Sequence, residues 1–311
     1  MSDARSISAP ASGSDQRRRP WALALAAAVL LAACTSVAGP PAAPDPPLPA
    51  GVPRLAALTT AMFAAQEADQ GVAVDADHFY AIDNAHIAKY DRLTGARVGE
   101  WKLDRPDILR HINSCFAEVG TLVCANSNYP VQPMASSIEV FDAASLEPLS
   151  SHSLGVRDEG SLTWAGRIPG GWIAGFAHYD GERGTGYKDH SASSVVTFDD
   201  AWRRTGGWTF PDAVVARMAP HAASGGVIGP DGLLYVLGHD RPELYVLARP
   251  QLGPGLILAA VIDIEAEGQA FAWAPGGARE IWAIDRRAGR VLVIDVPPVD
   301  ISGVPFAQTF R

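Results

Sequence analysis

The apolar residues of this chain form many short runs instead of long amphipathic stretches. Runs of five to seven residues either alternate with polar residues or are continuously apolar, as in half-buried and fully buried strands. No stretch after residue 34 shows the i, i+3, i+4 spacing of an amphipathic helix. A tight turn is predicted at Gly229–Gly232, where Gly-Pro-Asp-Gly separates two apolar runs. The pattern therefore predicts an all-β protein.

One strand ending recurs along the chain and suggests a repeat. The last residues of its five copies are 51, 57, 49 and 47 residues apart. A period near 50 residues fits a propeller blade of four antiparallel strands, so we predict a β-propeller with five blades. The copies are Lys89-Tyr90-Asp91, Val140-Phe141-Asp142, Thr197-Phe198-Asp199, Val246-Leu247-Ala248 and Val293-Ile294-Asp295.

The first and last repeats resemble each other most, with residues 70–74 matching residues 269–273. The last repeat lacks an obvious fourth strand, whereas residues 54–63 precede the first inner strand. We expect residues 54–63 to supply that strand and close the ring, which would remove two exposed sheet edges. Residues 306–311 are the alternative. A β-sandwich is the competing architecture, but it would not explain why the first and last repeats match.

The blade pattern of residues 54–300 resembles a broad group of bacterial secreted β-propellers, which includes quinoprotein amine dehydrogenase-like and NHL-type repeats. The resemblance implies a fold that hosts binding proteins, scaffolds, lactonases and lyases alike. It carries no cofactor motif, and the chain has no GxGxxG after a strand, no phosphate loop and no GxSxG. We therefore predict no cofactor, with a divalent metal as the alternative.

Composition supports a folded, strand-rich protein and disfavours one class of partner. Hydrophobic residues make up 48% of the chain, enough to bury a core, and 30 Gly and 24 Pro suit many turns. The net charge is −9 and no basic patch is present. We therefore expect no nucleic-acid partner.

The N-terminal region has the pattern of an export signal. Arg17–Arg19 precede an uncharged stretch of about 14 residues, too short to span a bilayer. Leu31-Ala32-Ala33-Cys34 resembles the bacterial lipobox, which implies a lipid on Cys34, and Thr35 after it implies the outer membrane of a Gram-negative bacterium. We predict a signal peptide at 1–33, a Pro/Ala-rich tether at 34–53 and the propeller at 54–311. Because the chain is acidic, the lipid would have to hold it to the membrane.

The two remaining cysteines, Cys115 and Cys124, flank a predicted hairpin turn at Val119-Gly120. A two-residue turn pairs residues whose numbers sum to 239, so the cysteines would lie opposite each other. The same register pairs Asn113 with Asn126 and His111 with Asn128. In an exported protein this arrangement predicts a disulfide; two buried free thiols are the alternative.

Polar residues recur where the first strands begin and the second strands end, positions that share one end of a propeller, here called the top face. At the beginnings of the first strands lie Gln70, Asn113, Ser161, Ser224 and Gln269. At the ends of the second strands lie Asn84, Asn126, His178, His239 and Arg286. A ring of such side chains around a central funnel suits a polar ligand, although polar residues also simply terminate strands.

Two long neighbouring loops, 127–136 and 178–190, are expected to overhang this funnel, and loops on a rigid scaffold often carry function. We predict a ligand site formed mainly by blades 2 to 4. Its cationic and imidazole side chains suit an anion or proton transfer. Beyond the polar ring it would use His111, Lys188, His190 and Arg217.

Two functions remain open at this stage. One is a non-catalytic, membrane-anchored propeller that binds a polar or anionic small molecule, a glycan or a protein. The other is a lactonase, lyase or cycloisomerase that uses histidine acid–base chemistry. In the second case a divalent metal could be held by His111, His178 and His239.

Overall fold

The computed structural model describes residues 45–105 and 107–311, which form a ring of five β-sheets. The predicted signal peptide and the predicted lipid site at Cys34 lie outside these residues. Within the described part, no helix has the length and apolarity needed to cross a membrane. The predicted five-bladed propeller is confirmed.

Each blade is an antiparallel meander that runs from the ring axis outward. Before the first blade come two strands, β1 (Arg54–Ala56) and β2 (Leu58–Ala64). Blade 1 contains β3 (Gly71–Val74), β4 (His78–Asp83), β5 (His86–Asp91) and β6 (Arg97–Lys102). Blade 2 contains β7 (His111–Glu118), β8 (Thr121–Ser127), β9 (Ala135–Asp142) and β10 (Pro148–Val156). Blade 3 contains β11 (Ser161–Ile168), β12 (Gly171–Ala177), β13 (Ser194–Phe198) and β14 (Arg204–Thr209).

The last two blades follow a short helix. The helix α1 (Asp212–Met218) connects blade 3 to blade 4; the sequence pattern did not predict it. It has only seven residues, and Val214 and Met218 bury its apolar side between blades 3 and 4. Blade 4 contains β15 (Gly225–Ile228), β16 (Leu234–Leu237), β17 (Glu243–Pro250) and β18 (Ile257–Asp263). Blade 5 contains β19 (Ala272–Trp273), β20 (Glu280–Asp285) and β21 (Arg290–Asp295), and β22 (Ala307–Gln308) comes last.

The N-terminal strands close the ring, as predicted for residues 54–63. β2 pairs antiparallel with β21 and becomes the fourth, outermost strand of blade 5. β1 pairs in parallel with β18 and covers the outer edge of blade 4. The alternative closing segment, at residues 306–311, instead places β22 against the end of β17. Two edges that would attract other chains are therefore covered by this chain itself.

The recurring aspartate of the strand endings forms the turn between the third and fourth strands. In blade 1, Asp91 Oδ1 accepts the backbone N–H of Leu93 at 3.1 Å and of Thr94 at 2.7 Å. Asp142 makes the same two contacts in blade 2, at 3.1 and 2.7 Å. These hydrogen bonds replace backbone partners that the turn leaves unsatisfied. The repeat seen in the sequence is thus a repeated turn.

Inner strands approach one another closely where the ring is narrowest. Gly71 and Ala270 form a parallel bridge between blades 1 and 5. A Cβ on Gly71 would lie 2.5 Å from the Cβ of Ala270, so only glycine fits there. Apolar side chains fill the space between blades; Phe79, for example, packs against Tyr90 and Trp282 with ring centroids 4.9 and 5.2 Å apart.

The predicted hairpin disulfide joins Cys115 to Cys124, whose Cα atoms are 4.0 Å apart. The predicted register holds between Ser114 and the turn, but it does not hold between the start of β7 and Ser114. A β-bulge at Asn113 shifts the pairing by one residue, so His111 lies opposite Ser127 and Ile112 lies opposite Asn126. The expected pairs of Asn113 with Asn126 and His111 with Asn128 are therefore wrong, because a bulge adds one unpaired residue to its strand.

The C-terminal part of the predicted tether contacts the propeller. Leu48 and Val52 pack against the core between blades 3 and 4. The carbonyl of Pro46 accepts a hydrogen bond from the buried Arg217, and Asp45 forms an ion pair with Arg241 at 2.6 Å. Residues 45–53 therefore belong to the packed unit.

Candidate functional site

A polar cavity of about 220 Å³ opens at the top face, where the inner strands begin. We call it the top cavity. All five blades or the segments that enter them contribute to its wall. The wall consists of Gln70, His111, Asn113, Tyr129, Thr163, Ala177, Tyr179, Arg183, His221, Ala222, Ala223, Ser224, His239 and Gln269.

Predicted amide side chains form the base of this cavity. Asn113, freed from the ladder by the bulge, donates through Nδ2 to the carbonyl of Leu162 at 2.9 Å and so links blades 2 and 3. Gln70 donates to Asp69 at 2.9 Å. Gln269 is held by its backbone N–H, which donates to the carbonyl of Gly238 at 3.0 Å. The polar residues at the beginnings of these strands therefore make hydrogen bonds within and between blades at the top face.

His111 forms one side of the cavity as a neutral imidazole. Its Nδ1 contacts Asn84 Oδ1, and its ring packs on Tyr129 with centroids 5.2 Å apart. Burial disfavours the charged form and lowers the pKa of His111 to about 4. At neutral pH this histidine can donate or accept one hydrogen bond but contributes no charge.

A second histidine cluster forms the opposite side. The rings of His221 and His239 stack with centroids 4.1 Å apart, and both Nδ1 atoms contact Asp240, at 2.9 and 2.7 Å. Arg286 Nη1 lies 3.4 Å from His239 Nε2. These contacts fit a neutral His239 that donates from Nδ1 to Asp240 and accepts at Nε2 from Arg286.

The charges in this cluster shift its pKa values. Burial is the main cause that lowers the pKa of His239, and the guanidinium of Arg286 acts in the same direction. Burial would raise the pKa of Asp240, but its hydrogen bonds with His239 and His221 outweigh burial and lower it. The cluster therefore holds an ionised carboxylate beside a largely neutral imidazole at neutral pH.

The two long loops cover the cavity together, as expected. Tyr129 from the blade 2 loop and Tyr179 from the blade 3 loop pack with ring centroids 4.5 Å apart. Arg183 Nη1 donates to the hydroxyl of Tyr129 at 3.0 Å, and Gln132 donates to the carbonyl of Arg183 at 2.9 Å. The aromatic pair forms a roof, and Arg183 lines the cavity beneath it.

No protein-family model matches this chain, and no curated protein matches it. Among solved structures, it is similar to a chain of the mitotic checkpoint complex at 9% identity and a TM-score of 0.42, over 82% of this chain and 97% of that one. It is similar to hydrazine synthase of Kuenenia stuttgartiensis at 13% identity and 0.41, over 74% and 71%. It is also similar to the Cps50 (Swd1) β-propeller domain of Myceliophteria thermophila at 10% and 0.40, over 73% and 82%. Similarities this low assign no function, and the resemblance to the quinoprotein and NHL-type group stays a prediction.

Two of the predicted site residues lie outside the top cavity because of strand geometry. Successive side chains of a strand point to opposite faces. Ala177 and Tyr179 face the cavity, so His178 faces away from it and its Nε2 contacts the carbonyl of Asp158 at 3.1 Å. Asn126, moved by the bulge, donates to Ser137 Oγ at 3.0 Å in a separate groove on blade 2.

Three further predicted residues are engaged in ion pairs elsewhere. Lys188 pairs with Asp158 at 2.9 Å, and His190 pairs with Asp180 at 2.8 Å. Arg217 on α1 is only 3% exposed, and its Nε donates to Glu243 at 2.7 Å. None of the three lines the top cavity, whose described wall has one arginine, Arg183 from the loop of blade 3. The predicted Arg286 does not line the wall either; it lies behind it, with Nη1 3.4 Å from His239 Nε2.

The predicted metal ligands do not converge, since His178 points away from His111 and His239. His221, His239 and Asp240 are closer together and offer three ligand atoms within 4.8 Å of one another. Two features disfavour a cation there. The imidazoles are stacked instead of splayed around a centre, and Arg286 contacts the Nε2 atom that would carry a proton if Nδ1 bound a metal. A divalent metal stays an untested alternative.

The sequence pattern did not reveal several residues of the site, among them His221, Asp240, Thr163, Arg183 and Tyr129. His221 lies three residues before Ser224, within the connection that enters blade 4, so its position was available from the repeat alignment. Arg183 lies within the long blade 3 loop, where only the flanking residues were considered. Thr163 replaces Ser161 at the wall, two residues further along β11.

Proposed function

We propose that the top cavity binds a small polar molecule that carries a carboxylate. The observation that carries the proposal is Arg183, the one arginine among the described residues that line this cavity. Arg286 lies behind the wall, where its Nη1 is 3.4 Å from His239 Nε2. Among the described residues, neither arginine forms an ion pair with an acid. A guanidinium without an acidic partner favours a carboxylate through bidentate hydrogen bonds.

The size and lining of the cavity define the rest of the ligand. Pockets for drug-sized molecules measure about 300–1,000 Å³, whereas this one measures about 220 Å³. The wall offers amides at Gln70 and Gln269, the hydroxyl of Thr163 and the imidazole of His111. These groups suit hydroxyls on a molecule of about monosaccharide size, and D-glucuronate combines hydroxyls with one carboxylate.

Isothermal titration with D-glucuronate and with D-glucose tests the proposal. We expect glucuronate to bind and glucose to bind at least ten times more weakly. A hydrogen bond to a charged group contributes about 1.5–3 kcal/mol, so Arg183→Gln should weaken glucuronate binding by about 10- to 100-fold. The control is Arg287→Gln, because Arg287 is exposed and pairs with Glu267. Equal affinity for both sugars, or equal loss in both variants, would contradict the proposal.

The His221–Asp240–His239 cluster favours a second candidate function, an acid–base enzyme such as a lactonase. An ionised Asp240 that accepts from Nδ1 of His239 leaves Nε2 as the basic atom once Arg286, 3.4 Å away, turns toward the substrate. Nε2 would take a proton from a water as the water oxygen adds to the lactone carbonyl. The ring C–O bond of the lactone would then break, the proton would pass from Nε2 to the leaving oxygen, and Arg286 would contact the carboxylate product. Hydrolysis of D-glucuronolactone in a pH-stat tests this function. His239→Ala should lower the rate by about 10²- to 10⁴-fold, and the outer-strand control His152→Ala should not.

We also propose that the protein is exported and anchored to a membrane through a lipid on Cys34. The disulfide between Cys115 and Cys124 supports an oxidising compartment, because such bonds rarely persist in a reducing cytosol. The lipobox-like Leu31–Cys34 supplies the attachment site in the sequence. Mass measurement of the purified N-terminal peptide would reveal the lipid.

A further inference from the structure

A second and larger cavity opens at the opposite end of the ring axis. It measures about 310 Å³ and is lined by the later residues of all five inner strands, so we call it the bottom cavity. Its wall is mainly aromatic and aliphatic, in contrast to the top cavity. The principal apolar side chains are Phe116, Trp164, Ile168, Val227, Phe271 and Trp273.

We infer that the bottom cavity binds a flat, mainly apolar small molecule. Its volume falls at the lower end of the range for small-molecule sites. Several of its apolar side chains, including Phe116, Val227 and Trp273, are partly exposed and could cover the faces of such a molecule. Burial of this exposed apolar surface would drive binding.

A glycine in the wall leaves space beside the cavity. Gly166 lies within the inner strand β11, where the absence of a side chain would let a ligand approach the backbone. A Cβ on Gly166 would meet no atom within 4 Å, so neither packing nor backbone conformation requires glycine there. By contrast, Gly226 across the cavity is needed, because a Cβ there would lie 2.4 Å from the ring of Trp164.

The charged groups around this cavity already contact the protein. Arg167 pairs with Glu118 at 3.1 Å and with Asp200 at 3.1 Å. Arg311 donates to the carbonyl of Pro230 at 3.0 Å. The indole nitrogens of Trp164 and Trp273 are buried and offer a ligand no donor. A mainly apolar molecule therefore fits this wall better than a strongly charged one does.

Fluorescence titration with N-phenyl-1-naphthylamine, a neutral aromatic probe with an amine nitrogen, tests the inference. Wild-type protein should give a saturable rise in probe fluorescence at one site per chain. Gly166→Phe places a ring in the cavity and should weaken the binding at least tenfold. Gly99→Phe is the matched control: Gly99 is also a half-exposed strand glycine with no atom within 4 Å of a Cβ, but it lies on the outer strand β6.

Two further variants make every outcome decisive. If Gly166→Phe fails to fold, Ala117→Phe at the same wall should give the same loss. His239→Ala, at the top cavity, should leave the probe titration unchanged, so failure here is distinguishable from failure of the proposed carboxylate site. An absence of saturable binding, or binding that survives both wall substitutions, would overturn the inference.

Discussion

A buried ion pair at the edge of blade 4 should contribute strongly to stability. Glu243 is 4% exposed and accepts hydrogen bonds from Arg217, from the hydroxyl of Tyr245 at 2.9 Å and from Arg54 at 2.9 Å. It therefore joins the N-terminal strand β1, the helix α1 and the strand β17. Glu243→Gln would leave the buried guanidinium of Arg217 with only the exposed Asp45, at 3.7 Å, as a counter-charge, which costs about 3 kcal/mol, the lower end of the range for a broken buried pair.

The pKa of Glu243 gives an independent measure of the same interaction. Burial alone would raise this pKa, but the hydrogen bonds from Arg217, Tyr245 and Arg54 outweigh burial and lower it from 4.5 to about 2. A carboxylate with a lowered pKa stabilises the fold above its unfolded pKa and loses that contribution as the pH falls. The difference corresponds to about 3 kcal/mol, present above about pH 5 and lost between about pH 4.5 and pH 2.

Thermal and urea unfolding followed by circular dichroism provide the assay. At pH 7, Glu243→Gln should lower stability by about 3 kcal/mol, or Tm by about 6–12 °C for a domain of this size. The gap between wild type and variant should shrink as the pH falls toward 2. Glu100→Gln is the control, because Glu100 is half-exposed and its contacts among the described residues are with His86 and the exposed Arg97; the substitution should cost less than about 1 kcal/mol. A loss below 1 kcal/mol for Glu243→Gln, or a gap that does not change with pH, would refute the reasoning.

Three other expectations concern the anchor, the disulfide and ring closure. Cys34→Ser should move the protein from the membrane to the soluble fraction of disrupted cells, and unchanged partitioning would count against a lipid anchor. Replacing Cys115 and Cys124 by Ser opens a loop of about ten residues and should cost about 2–3 kcal/mol in urea unfolding; no change in midpoint would contradict this value. Deleting Leu58–Ala64 removes the fourth strand of blade 5, so the protein should lose cooperative unfolding, whereas deleting residues 35–44 should leave the transition unchanged; a cooperative transition in the first variant would show that the ring does not depend on β2.

The fold could be predicted because similar strand endings and turn-forming residues recur along the sequence. The recurring strand endings carry an aspartate that makes the same turn in successive blades, as Asp91 and Asp142 show. The closing strand could also be predicted, because the last repeat lacks a fourth strand and an additional strand precedes the first repeat. The second can supply what the first lacks. The disulfide followed from the short turn at Val119-Gly120, which fixes the register near it.

The site could be predicted only in part, because small register changes decide where a side chain points. One bulged residue, Asn113, moved Asn126 out of the cavity, and strand alternation turned His178 away from it. Arg217 is of a residue type that often binds anionic ligands. Its acidic partner, Glu243, is 26 residues away in the sequence, and no local pattern reveals the pair. Contacts between loops, such as Arg183 with Tyr129, depend on tertiary structure that a single strand pattern does not contain.

A crystal structure of the protein grown with D-glucuronate would test the central claim most directly. The account predicts the sugar in the top cavity, beneath Tyr129 and Tyr179, with its carboxylate within about 3 Å of the guanidinium of Arg183 or Arg286. A top cavity that holds only water at saturating glucuronate, or a sugar whose carboxylate contacts neither arginine, would contradict it.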